Sequence, residues 1–170
     1  MEKLEMREVV NPRQVILITS RARIVPKFKA KEEEKDNIMT AAWHMPVSFE
    51  PPLYAISVGK KRYSLELIRK SKSFVVNFMP YSMKKEVLLA GRTTGVHLDK
   101  FEKIGLGKED AETIDCCRIK EALACLECEV EQEIEAGDHI IFIGRVLKVI
   151  KNKGGKRIYQ IRGDKFTTTA

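Results

Sequence analysis

A chain of 170 residues with 44% hydrophobic content carries enough apolar material for one packed domain, and too much for low-complexity disorder. No apolar run is long enough to cross a bilayer, and the amino terminus MEKLEMREVV is charged where a secretory leader would be apolar, so a cytoplasmic protein is expected. The net charge of +7 invites a nucleic-acid reading. However, 24 acidic residues are interleaved with the basic ones, and an aromatic content of 7% supplies no row of stacking rings.

In chain order, RQVILITS (13–20) is rich in β-branched residues and reads as a strand. Residues 21–36 are polar, include the mixed-sign run KFKAKEEEK (27–35), and read as a loop or frayed hairpin with a mobile tip. In PVSFEPP, Pro46, Pro51 and Pro52 lack the N–H that a ladder needs, which predicts an ordered corner rather than a strand. Leu53 to Gly59 alternates like a strand. Tyr63 to Lys72 has helical composition, SFVVNFM (73–79) a buried-strand pattern, and Ser82 to Ala90 that of a second short helix stopped by Gly91.

Residues 91–107 read as a loop in which Gly91, Gly95 and His97 could line a pocket, with a plain surface connection as the alternative. Residues 108–121 carry no clear pattern. Residues 122–135 alternate, with Glu127, Glu129, Glu131, Glu133 and Glu135 on an outer face. After a Gly137–Asp138 turn, HIIFIGRVLKVIK (139–151) is apolar on both faces, as in a central strand. KNKGGKR (151–157) resembles a hairpin tip, leading into a third strand, KRIYQIRG (156–163). These elements imply a mainly β barrel or sandwich of at least six strands with two short helices.

The four cysteines are Cys116, Cys117, Cys125 and Cys128. Residues three apart on a strand face opposite ways, so Cys125 and Cys128 do not suit one metal ion, and small apolar residues are expected instead. The sequence holds no GxSxG, HExxH, Walker loop or GxGxxG.

The densest stretch is Asn37 to Ser64. Thr40, Ala41 and Ala42 are small enough to let a ligand approach the backbone, and Trp43 adds an apolar wall. Lys60, Lys61 and Arg62 then precede Ser64, which could cap a helix. Free helix N–H groups beside cations make a phosphate cradle, although a solvated basic turn is the bland alternative. Main chain for a flat ring, followed by cations for a phosphate, suits a cofactor that brings its own redox chemistry. His44 is expected to be an ordinary hydrogen-bonded histidine.

Four segments in order resemble the flavin reductase-like family of FMN-binding split barrels, in particular its archaeal and flavoredoxin-type branch. They are NIMTAAWHMPVSFEPPLYAISVGKKRYSLELIRKSKSFVVNF (37–78), GRTTGVHLDKFEKIGL (91–106), CLECEV (125–130) and AGDHIIFIGRV (136–146). The resemblance implies a six-stranded antiparallel Greek-key split barrel, with its core at about residues 11–163, forming a homodimer with FMN near the interface. It places ring contacts on Met39, Thr40, Ala41, Ala42 and Trp43. Phosphate and ribityl contacts fall on Ser48 and on the turn of Lys60, Lys61, Arg62 and Ser64. Gly95 and His97 border the cofactor, and His139 of the Gly137–Asp138–His139 turn lies by the nicotinamide or flavin face. NAD(P)H is the expected electron donor, and free flavin, a ferric chelate or a protein the acceptor. An electron carrier without its own nicotinamide site is the alternative, and a basic nucleic-acid-binding barrel a remote one.

Overall fold

A computed structural model describes residues 3–25 and 29–169. Its centre is an antiparallel sheet of seven strands among the described residues, in the order β3-β2-β6-β9-β10-β5-β4. These are β2 (Ile16–Ile24), β3 (Glu33–Ala41), β4 (His44–Phe49), β5 (Pro52–Gly59), β6 (Ser73–Phe78), β9 (Ala124–Ala136) and β10 (His139–Lys151). The count is seven rather than the six expected, because Pro46 to Phe49 of PVSFEPP belong to a strand and only Glu50 and Pro51 turn the chain. Pro46 lies in β4, opposite Tyr54 of β5. β4 is an edge strand, where a missing N–H costs no ladder bond, and the register slips between Pro46 and Ser48. The sheet is open: β3 and β4 are its two edges, and they are consecutive in the chain.

Both faces of the central strands are covered, which explains their unbroken apolar runs. On one face Ile16, Ile18, Phe74, Val76, Ile140 and Phe142 share a core inside the curl. On the other, Leu17, Val75 and Cys125 pack with Cys116, Cys117 and Ile119. Cys125 and Cys128 fall in different cores, as the strand alternation predicts. Burial pushes the Cys125 thiol up to about 12 and the Cys128 thiol up as well, so both are protonated, inert packing groups.

The 21–36 segment is a hairpin of long strands, paired from Ile16↔Ala41 to Ile24↔Glu33. Its expected mobile tip, residues 26–28, lies outside the described residues. Arg21 of β2 is buried and binds Asp36 at 2.7 Å, Asp110 at 2.9 Å and Asp115 at 3.3 Å. Asp110 ends β7 (Lys108–Asp110), which pairs with β8 (Cys117–Ile119). That small hairpin is the structure of the 108–121 segment, where no periodic pattern was visible.

Glu127 departs from the outer face of β9. It is fully buried, accepts from the N–H groups of Glu112 and Thr113 at 2.9 and 2.8 Å, and faces Arg118 at 3.4 Å. A carboxylate with three such donors can be buried where an unpaired one could not.

The carboxy-terminal strand also departs from the hairpin expectation. β11 (Tyr159–Arg162) does not pair with β10. It joins β1 (Arg13–Gln14) and β12 (Lys165–Thr167) in a separate sheet, and KNKGGKR connects the two sheets. The expected Gly137–Asp138 turn joins β9 to β10, with Gly137 at φ +60°, where glycine alone has no Cβ penalty.

The helices are α1 (Lys3–Val10), α2 (Tyr63–Ser71), α3 (Lys84–Arg92) and α4 (Lys100–Ile104). Gly91 does not stop α3, which runs through it to Arg92. The loop expected at 91–107 contains α4, capped by Asp99, whose side chain accepts from the N–H groups of Phe101 and Glu102. Among the described residues no helix is long and apolar enough to cross a membrane.

Candidate flavin site

β3 pairs with β2 on one side only, so its other edge presents free main-chain groups to whatever lies against it. Along it, Met39 and Ala41 turn into the sheet core, while the Thr40 hydroxyl donates to the Val87 carbonyl of α3 at 2.6 Å. The chain then bends through Ala42 and Trp43 into β4. Arg13 holds this bend: Nε donates to the Ala42 carbonyl at 2.8 Å and Nη2 to the His44 carbonyl at 3.4 Å. The Trp43 carbonyl accepts from Ser57 N–H at 2.9 Å. The carbonyls around Trp43 are therefore used internally, as is the Ile38 carbonyl of β3, which accepts from Lys100 at 2.6 Å.

His44 is hydrogen-bonded, as expected. A carbonyl can only accept, so Nε2 donates to Gln14 O at 2.9 Å, and Nδ1 then accepts from the Tyr54 hydroxyl at 2.6 Å. Burial lowers the His44 pKa, which keeps this neutral tautomer.

A cleft of 420 Å³ lies against this edge. Met39 to Trp43 form one wall. Gly59, Arg62 and His139 form the next, and the end of α1 with β11 closes the far side, where Glu8 and Arg162 pair at 2.6 Å. The Trp43 and His139 rings stand 4.9 Å apart, tilted by 30°. His139 Nδ1 bonds the Asp138 carboxylate at 2.7 Å, and that bond orients the imidazole.

A second, smaller pocket of 180 Å³ adjoins the first, sharing Met39, Thr40 and Arg62 with it. Lys61, Ser64, Asn37, Gly95 and Lys100 line its remainder. The start of α2 opens onto it through Tyr63 and Ser64, whose N–H groups precede the first helical bond, from Leu65 N–H to the Arg62 carbonyl at 3.0 Å.

Ser64 does not cap this helix. Arg62 is the N-cap residue, without a side-chain cap, and Ser64 is 3% exposed inside the first turn, where its hydroxyl accepts from Asn37 Nδ2 at 2.8 Å. Asn37 Oδ1 is buried and has no partner among the described residues. Because a hydroxyl can also donate, the Asn37 amide turned over would keep this bond and present NH₂ where Oδ1 stands, the arrangement an anion requires. A Cβ on Gly95 would lie 2.1 Å from Asn37 Oδ1, so the pocket depends on glycine there.

Three predicted residues stand apart from this assembly. Ser48 sits on the edge strand β4 opposite Leu53 and lines neither cavity. Lys60 is ion-paired with Glu135 on the neighbouring surface. His97 is exposed and lines neither cavity.

One residue that sequence reasoning missed is Lys100. It is 4% exposed, and its ammonium donates to the carbonyls of Ile38 and Ala90, each at 2.6 Å, and of Thr93 at 2.9 Å. Burial, with a smaller contribution from Arg62, pushes its pKa down to about 8. The only local signal was its place after a capping Asp99, and that says nothing of a pocket.

The fold is thus an open antiparallel sheet with a cleft and an adjoining pocket lined by Lys61, Arg62 and Lys100 along one edge. The chain matches the model of the flavin reductase like domain over residues 6–168 and belongs to that family. An uncharacterised protein of Archaeoglobus fulgidus is 40% identical over 116 residues, covering 68% of this chain and 66% of that protein. The reductase component of 4-hydroxyphenylacetate 3-monooxygenase from Thermus thermophilus is 28% identical over 135 residues, covering 79% and 81%. The chain spans about two thirds or less of the length of the first curated relatives it matches. Among solved structures, an FMN-binding protein from Thermus thermophilus with bound 1-cyclohex-2-enone has a TM-score of 0.85 at 22% identity, covering 100% of this chain and 93% of that one, a likeness of fold.

Proposed function

We propose that this protein binds FMN across the two adjoining cavities and acts as a flavin reductase-type oxidoreductase. Reduced nicotinamide, NADH or NADPH, would be the electron donor, and free flavin, a ferric chelate or a protein partner the acceptor. The observation that carries this reading is the shared wall: Met39, Thr40 and Arg62 border both the ring-sized cleft and the small cationic pocket. A flat ring and a phosphate on one molecule can reach both at once.

Bound flavin would supply the two-electron redox chemistry. The chain's own part is to hold and shield. The β3 edge supplies main-chain donors and acceptors, and Trp43 covers the ring. Lys61, Arg62 and the α2 N-terminus neutralise the phosphate. His139, oriented by Asp138, would position the nicotinamide against the ring rather than transfer a proton.

Assembly as a homodimer is part of the proposal. β4 leaves Met45 and Val47 exposed, and Phe49 at its hairpin end is 97% exposed, an apolar edge that a second copy would cover. Sedimentation showing a monomer that retains FMN would remove the dimer.

The decisive experiment is a visible spectrum of the purified protein loaded with FMN, before and after anaerobic addition of NADH or NADPH. Retained yellow colour that bleaches on addition is expected. Colour without bleaching by either nucleotide would favour an electron carrier and end the reductase assignment.

A further inference from the structure

We propose that Arg162, at the end of the cleft away from the small pocket, receives the diphosphate of the dinucleotide electron donor, and that Glu8 holds its guanidinium in place until that anion arrives. The inference rests on the FMN and reduced-nicotinamide reading above and adds the residues that take the donor's charged part.

The lie of the flavin leaves one end of the cleft to a second ligand. Arg62 borders both cavities and Lys61 the smaller one, so a phosphate held by them draws the flavin's tail away from α1 and β11. The far rim consists of Glu8, Asn11, Gln160, Arg162 and Gly163, and none of these borders the small pocket. A donor that lays its ring against the flavin is kept from sending its phosphates the same way, because like charges repel. Arg162 supplies a cation on the other rim.

Arg162 is placed to bind rather than to pack. Its side chain is 71% exposed, and among the described residues its one partner is Glu8, itself 48% exposed. Such a pair is screened by water and adds little to the fold. Asp164, two residues on, is taken up by Arg92. A diphosphate offers the planar guanidinium a bidentate partner of higher charge than one carboxylate, so it displaces Glu8 favourably.

The main chain under Arg162 is fixed. Gln160 lies opposite Arg13 of β1, and its side-chain amide donates to the Gly163 carbonyl at 2.7 Å, closing the turn that follows Arg162. Gly163 stands at φ +52° in that turn, and Lys165 of β12 pairs opposite Arg162. Arg13 also clamps the bend at Trp43, so the strand that carries Arg162 is tied to the wall expected to cover the ring. A charged group on a tied strand meets its ligand with little reordering.

The FMN-loaded protein is to be reduced anaerobically in stopped flow by NADH and by N-benzyl-dihydronicotinamide, which has the same hydride-donating ring and no phosphate. Binding of NAD⁺ to the oxidised, FMN-loaded protein is to be measured alongside by calorimetry. In Arg162→Met the ratio of the NADH rate to the benzyl-donor rate, both at low donor concentration, falls about tenfold, and NAD⁺ binds about tenfold more weakly, as for one lost charge-assisted contact. In Glu8→Gln both quantities rise, by up to about fivefold, the most that an exposed ion pair opposes. FMN retention is the same in both variants and the wild type.

If Arg162→Met slows both donors by one factor, the residue only shapes the wall and the proposal is wrong. An unchanged ratio with unchanged NAD⁺ binding puts the diphosphate elsewhere and also overturns it. Loss of FMN from Arg162→Met would show that the flavin's own phosphate lies at this end, against the orientation on which the proposal stands. FMN-loaded wild type that neither binds NAD⁺ nor is reduced by NADH refutes this inference and the reductase reading, and leaves flavin binding intact. A wild type that retains no flavin refutes the FMN reading itself, and this inference with it.

Discussion

Replacing Gly95 by alanine tests the pocket at its tightest point. The added Cβ would stand 2.1 Å from Asn37 Oδ1 and 2.9 Å from Asn37 Cγ, closer than side-chain atoms can sit. Ordinary contact requires a retreat of more than about 1 Å. Asn37 has little room to give. It is 2% exposed, and moving it breaks the 2.8 Å bond from Nδ2 to Ser64. Overpacking of this kind costs about 1–3 kcal/mol, and the lost buried hydrogen bond about 1 kcal/mol more. Urea unfolding of the apoprotein should therefore show Gly95→Ala less stable by roughly 2–4 kcal/mol, the sum of those two ranges. FMN affinity should fall by at least about tenfold, since the displaced side chain lines the small pocket proposed to hold the phosphate. A second change makes the attribution specific: Asn37→Ala removes the clashing amide, so the double variant should recover most of the stability lost to Gly95→Ala. Unchanged stability and affinity in Gly95→Ala, or no recovery in the double variant, would refute the contact on which this reasoning rests.

Three further outcomes are expected. Arg62→Ala should weaken FMN by roughly 10–100-fold while leaving riboflavin nearly unaffected, because a charge-assisted contact is worth about 1.5–3 kcal/mol; equal effects on the two flavins would mean the phosphate lies elsewhere. Arg13→Met should free the carbonyls flanking Trp43, and because the chain has one tryptophan its emission reports that bend directly, with a red shift and faster quenching expected and an unchanged spectrum counting against the clamp. Asp36 supplies a pH dependence: burial pushes its pKa up, but hydrogen bonds from Arg21 and Lys108 outweigh this and hold it below the ordinary value. Its contribution to stability is present above the unfolded carboxylate range, near pH ~4, and is lost as pH falls through the lower folded value. Asp36→Asn should therefore show a shallower loss of stability than the wild type below about pH 4, and parallel acid curves would disprove this role.

Much of this molecule was legible in its residues taken in order. Alternation and β-branching mark β2, β5, β6, β9 and β10, because a strand's two faces are written two residues apart. Gly137 marks its own turn, since the conformation it adopts is a local property. The small residues Thr40, Ala41 and Ala42 and the cations Lys61 and Arg62 stood out for a similar reason, in side-chain size and charge, and the fold brings them to two adjoining cavities.

Other features depend on which distant segment lies opposite, and local periodicity does not encode that. Pro46 is compatible with a strand because β4 is an edge, which only the strand order reveals. Glu127 reads as one more outward glutamate of β9 until the N–H groups of Glu112 and Thr113 fold over it. Ser64 has a capping residue's identity but meets Asn37, 27 positions earlier, and becomes a buried acceptor instead. Lys100 bonds a carbonyl 62 positions away. Nothing in its neighbours distinguishes it from the chain's solvated lysines, because the desolvation that changes its chemistry is imposed by walls that exist only after folding. Composition and periodicity determined the strands, while tertiary packing decided which charges lost their water.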